Sequence, residues 1–113
     1  MVFRIGLLDK AGAFLAPDIV SMKVIICGAG QVGANIATYL AAEGNEVTII
    51  DSEPSVVAEI SHTLDAKAIQ GLASQPGVLE RAGAPEADML IAVTHFDEIN
   101  MVICQVADTL FSV

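Results

Sequence analysis

Between Val24 and Asp51 the chain reads as strand, glycine loop, helix, strand and acid, and few folds accommodate that order. Val24-Ile25-Ile26-Cys27 is a short apolar run rich in β-branched residues, which predicts a buried strand. Gly28-Ala29-Gly30-Gln31-Val32-Gly33 fits G-x-G-x-x-G. Gln31 to Glu43 predicts a helix, with Val32, Ile36 and Leu40 spaced four apart on one face. Gly44-Asn45 stops it, since glycine takes the left-handed conformation without a Cβ penalty. Glu46 to Ile50 predicts a second strand that ends at Asp51.

Each glycine of the motif has a physical task. Gly28 permits the tight strand-to-helix turn, Gly30 lets the backbone come close to a pyrophosphate, and Gly33 lets the helix pack on the strand. Phosphates would sit on the unpaired N–H groups at the helix start, where the helix dipole favours negative charge. Asp51, about twenty residues past the glycines, can accept hydrogen bonds from ribose hydroxyls. Its charge disfavours the 2′-phosphate of NADP. The implied ligand is an adenine dinucleotide or a related adenosine nucleotide; the bland alternative is a glycine-rich turn that binds nothing.

At 113 residues a single domain is the ceiling, and a 54% hydrophobic composition supports a packed core rather than disorder. A net charge of −9 argues against nucleic acid and against an anionic membrane surface as partners. No apolar run approaches the roughly 20 residues that span a bilayer. Cys27 lies in the first predicted strand and Cys104 on a late helix, so two buried reduced thiols of a cytoplasmic protein are expected. Neither stands at metal-ligand spacing from other cysteines or histidines.

Residues 1–21 do not continue the α/β pattern, although Val2 to Leu8 can form a strand. Met22 is the expected domain start, with 1–21 an extension or a misassigned upstream start. After Asp51, Ser52-Glu53-Pro54 opens a helix with Val56, Val57, Ile60 and Leu64 as its apolar face. Ala66 to Gln70 predicts a third strand ending at Gly71, and Leu72 to Gln75 a loop. Pro76 to Ala82 predicts a short helix stopped by Gly83. Met89 to Val93 predicts a fourth strand. Thr94-His95-Phe96 turns the chain into a helix from Asp97 to about Phe111, with Asp97 and Glu98 favoured at its positive end. The alternation predicts an α/β, Rossmann-like doubly wound parallel sheet of order 3-2-1-4, short of the two strands that normally follow. An apolar parallel strand at an edge invites aggregation, so either this is a fragment or the edge is covered, with residues 1–21 and a second copy of the chain as the candidates.

Met22 to Gly33, Glu43 to Asp51, and Ala87 to Thr94 with Asp97-Glu98-x-Asn100-Met101 together resemble the N-terminal nucleotide-binding domain of TrkA. That domain belongs to the RCK/KTN family, which regulates potassium conductance. The resemblance covers Met22 to about Phe111 and nothing in 1–21. It implies NAD(H), or ATP or ADP, bound at the C-terminal ends of the strands. It aligns Gly28, Ala29, Gly30, Gln31 and Val32, with Gly33, to the phosphate loop. Asp51 followed by Ser52 aligns to the ribose side, Gly71, Ala73 and Ser74 to the adenine side, and Thr94 and His95 to the loop facing the nucleotide. It also implies a homo-oligomer at the inner face of the cell membrane, attached to a membrane-embedded potassium transporter subunit.

Bland readings stand beside these. His95 is either a ligand contact or a solvent-facing loop residue. Thr94 either donates to a phosphate or ribose or caps its turn, and Ser74 is similar. His62 is expected at the surface, and Met89 and Met101 in the core. Two functions remain: a regulatory nucleotide-sensing module of potassium uptake, and the cofactor half of an NAD-dependent dehydrogenase. The second needs a substrate domain with a catalytic acid or base, and this sequence contains none.

Overall fold

The computed structural model describes residues 2–5 and 21–113. Five strands form one sheet: β1 (Val2–Ile5), β2 (Lys23–Cys27), β3 (Glu46–Asp51), β4 (Lys67–Gln70) and β5 (Met89–Ala92). Their spatial order is β1-β5-β2-β3-β4. The four strands from Lys23 onward are parallel and give the expected 3-2-1-4 arrangement. The helices among the described residues are α1 (Gln31–Ala42), α2 (Pro54–Thr63), α3 (Pro76–Arg81) and α4 (Asp97–Phe111), with a 3₁₀ turn at Ala84–Glu86.

Period-two alternation in the strands divides the core into two layers. Val24 and Ile26 point to one face, where they join Ala37, Val47, Ile49, Ile60 and Ile91 beneath α1 and α2. Ile25 and Cys27 point to the other, where they join Ile50, Leu79, Leu90, Ile103 and Ala107 beneath α3 and α4. Both faces are therefore covered, which is why these strands carry no polar alternation. Each buried Ile or Leu contributes roughly 1.5–3 kcal/mol of transfer free energy.

The helices depart from the expected faces in two places. Val32, expected on the buried face of α1, is 55% exposed; the buried residues are Gly33 and Ala37. The phase is set by Gly33, because a Cβ there would lie 1.8 Å from the Gly28 carbonyl oxygen. Backbone contact at Gly33 turns its neighbour Val32 outward, while Ile36 and Leu40 remain packed against the core. Met101, expected in the core, is 65% exposed, since α4 buries Asn100, Ile103, Cys104 and Ala107. Met89 does pack against the core, and His62 is exposed as expected.

β5 is not an edge strand. Val2–Ile5 pairs with it antiparallel, Val2 opposite Ala92 and Ile5 opposite Met89. The rest of the expected strand, residues 6–8, lies outside the described residues. Among the described residues no helix is long and apolar enough to cross a membrane.

Candidate functional site

The parallel ladder runs past the ends of the strands and pins the loops that follow. Gly28 N–H donates to the Ile50 carbonyl at 2.8 Å, Val93 N–H to the Cys27 carbonyl at 2.8 Å, and Gly71 N–H to the Asp51 carbonyl at 3.0 Å. The loops after β2, β3, β4 and β5 thus diverge from fixed points. Between them lies a cavity of about 490 Å³. Its position, outside the carboxyl ends of parallel strands where the winding direction reverses, is where open α/β sheets bind ligands.

One wall is the glycine loop. Gly28 takes φ 109°, and a Cβ there would come within 2.9 Å of the Val93 backbone, so only glycine fits. Gly30 differs: a Cβ would meet nothing nearer than the His95 imidazole, at 3.8 Å, so its bare face opens onto the cavity. α1 begins directly behind it with no side-chain cap. Ala34 is the first residue whose N–H bonds back, to the Gly30 carbonyl at 2.9 Å. The N–H groups of the first turn are thus left as donors for an anion.

The second wall is built on Asp51. One carboxylate oxygen accepts from Ala29 N–H at 2.8 Å and the other from Glu53 N–H at 2.9 Å. Asp51 therefore braces the glycine loop from the end of the neighbouring strand. About four lone-pair sites exist on a carboxylate, so two remain for hydroxyl donors. Ser52, Glu53 and Val56 continue this wall, and Gly71, Leu72, Ala73 and Ser74 close the far end.

The third wall follows β5. Thr94 is engaged within the protein: its hydroxyl donates to the Asn100 side-chain oxygen at 2.7 Å and accepts from Phe96 N–H at 3.2 Å. Its only proton is thus committed to capping the turn. His95 stands exposed over Gly30, and Phe96 and Ile99 add an apolar rim, 64% and 40% exposed. Among the described residues no Lys or Arg lines the cavity, whereas Asp51 and Glu53 do. There a bound phosphate would accept hydrogen bonds from the backbone N–H groups of the glycine loop and the first helical turn, with the carboxylates set away on the sugar side.

Of the residues anticipated from sequence, Gly28, Ala29, Gly30, Asp51, Ser52, Gly71, Ala73, Ser74, Thr94 and His95 all line this one cavity. Gln31, Val32 and Gly33 do not. The Gln31 side chain turns along the helix to Asn35, Val32 points outward, and Gly33 serves packing. Sequence reasoning missed Glu53, Val56, Leu72, Phe96 and Ile99. Their signal was apolar residues close to element boundaries: Leu72 two positions past β4, Phe96 immediately before α4 and Ile99 in its first turn. Cys27 and Cys104 form no disulfide, are buried and share one core cluster below the site. Burial first, and the neighbouring Cys104 second, push the Cys27 thiol well above its ordinary range. A protonated thiol of this kind is a poor nucleophile.

Comparison with known proteins yields a match to the TrkA-N domain model over residues 24–113. The chain is 54% identical over 92 residues to the Trk system potassium uptake protein TrkA of Azorhizobium caulinodans, covering 81% of this chain and 20% of that protein. It is 51% identical over 90 residues to the protein of the same name from Halomonas elongata, covering 80% of this chain and 20% of that one. A TrkA homolog of Methanothermobacter thermautotrophicus is 37% identical over 83 residues, covering 74% and 38%. The chain spans about a fifth of the length of these two bacterial relatives.

Proposed function

This chain belongs to the TrkA-N domain family, and from that premise we propose that it is the nucleotide-sensing module of a potassium-uptake system. The observation that carries the reading is the cavity itself. It is a glycine loop backed by uncapped helix N–H groups, faced by one strand-end carboxylate and, among the described residues, free of lysine and arginine. That chemistry suits an adenosine nucleotide, NAD(H) first and ATP or ADP second, with the pyrophosphate on Gly30 and the start of α1. Asp51 takes the ribose hydroxyls. Residues 22–113 form the binding unit and 1–21 an extension to it.

The module regulates rather than catalyses. Ligand exerts control by binding two conformations with different affinity, which shifts their populations. The readout is an attached membrane-embedded potassium transporter, with this domain in a homo-oligomer on the cytoplasmic side of the membrane. The names of the relatives support the transport assignment.

The competing dehydrogenase reading needs an acid or base next to a substrate. Of the titratable side chains on the cavity wall, Asp51 is held by two backbone N–H groups, Glu53 is exposed, and His95 has no orienting side chain among the described residues. The test is NADH-linked turnover with small 2-hydroxy acids and aldehydes. No turnover is expected. Specific turnover that His95→Ala abolishes would replace the sensor reading with the enzymatic one.

A further inference from the structure

Asn100 is the one polar side chain among the described residues that falls in the buried class, at 2% exposure. Burying an amide carries a desolvation penalty unless each group finds a partner. Here every partner belongs to a single residue. The Asn100 side-chain oxygen accepts from Thr94 N–H at 2.9 Å and from the Thr94 hydroxyl at 2.7 Å. Its amide nitrogen donates to the Thr94 carbonyl at 3.2 Å. All three polar atoms of Thr94 are held by one side chain from the first turn of α4.

An aliphatic residue could fill that volume without a polar group to satisfy, so the amide points to a need to fix the loop. Only a side chain that both accepts and donates matches Thr94. Aspartate has the shape but not the donor, and leucine has neither. The residue after Thr94 is His95, whose imidazole lies over the open face of Gly30.

We infer that Asn100 is a positioning residue for the nucleotide site: it clamps Thr94 so that His95 stands over the phosphate loop. The inference rests on the nucleotide-binding reading for its purpose, and on the hydrogen bonds alone for its geometry. Asn100 itself does not line the cavity. It acts through the loop, by removing the freedom that Thr94 and His95 would otherwise lose on binding.

The experiment compares the chain with its Asn100→Asp variant by calorimetric titration with NADH and by the ring C–H resonances of the two histidines. His62, exposed on α2, serves as the internal reference. In Asn100→Asp, NADH affinity is expected to fall about tenfold, the loss of one well-placed hydrogen-bond set. The His95 resonance should move while His62 stays. In a His95→Ala background the same change should weaken binding by less than about twofold, since its effect travels through His95. A folded Asn100→Asp chain with unchanged affinity and an unchanged His95 resonance overturns the inference. If Asn100→Asp does not fold, Thr94→Val decides with the same readouts, because it removes the hydroxyl contacts and leaves the backbone ones. If the unaltered chain binds no NADH, the functional reading fails separately. The His95 resonance then decides alone, its shift supporting the positioning role and its constancy overturning it.

Discussion

Gly30 and Gly33 belong to the same motif and answer to different physics. A side chain at Gly33 collides with the Gly28 carbonyl, whereas one at Gly30 enters open cavity with only His95 in reach. Gly30→Val should therefore fold with a melting temperature close to that of the parent chain and lose nucleotide binding. Gly33→Ala should be strongly destabilised, and thermal melts beside titrations separate the two outcomes. Asp51 braces the glycine loop, and in the proposed function it also binds the ribose. Asp51→Ala removes the acceptor for Ala29 and Glu53 N–H, at a cost on the order of 1–3 kcal/mol of stability, and weakens NAD(H) binding about tenfold or more. An unchanged affinity would move the ribose away from this wall. The glycines and Asp51 were legible in the sequence because their spacing reflects backbone constraints within one strand–helix–strand unit. The Asp51 brace on Ala29 and the Asn100 clamp on Thr94 were not. The first joins strand ends that meet only once β2 and β3 have paired, and the second depends on how the turn after β5 enters α4.

At the scale of elements, strand and helix identity followed from apolar runs and turn residues, and the ends moved by one or two residues. Helical phase was harder to read. Val32 and Met101 fall on apolar spacings, yet α1 is rotated by backbone contact at Gly33 and α4 by its buried stripe of Asn100, Ile103, Cys104 and Ala107. Spacing alone does not reveal which apolar stripe the sheet will select. The antiparallel pairing of Val2–Ile5 with β5 has its own consequence. It covers backbone groups that would otherwise template further strand pairing. Removal of residues 1–5 should produce self-association that grows with concentration, measured by light scattering. A variant that stays monodisperse at all concentrations would show that this edge needs no cover.

For the whole molecule, charge and protonation set the conditions under which the fold and site persist. A chain of net charge −9 binds an anionic ligand only where local donors outweigh the general field, and the start of α1 is where we propose that they do. Cys27 adds a pH limit. Its thiol holds its proton in the fold to higher pH than in the unfolded chain, because burial penalises the thiolate. Above the ordinary value of 9.0 the unfolded state therefore binds fewer protons than the folded one. Stability is intact below that pH and falls as pH rises past it, by up to about 1.4 kcal/mol per pH unit. Urea unfolding from pH 8 upward should show this decline, with a shallower slope in Cys27→Ala; parallel slopes would exclude the thiol as its source.

The most direct measurement is a calorimetric titration of the purified chain with NADH, NAD and ATP, with NADPH as the discriminating control. The account predicts saturable binding in the micromolar range, one nucleotide per chain, and NADPH at least about tenfold weaker because Asp51 repels its 2′-phosphate. A folded chain that binds none of these nucleotides, or that prefers NADPH, would contradict it.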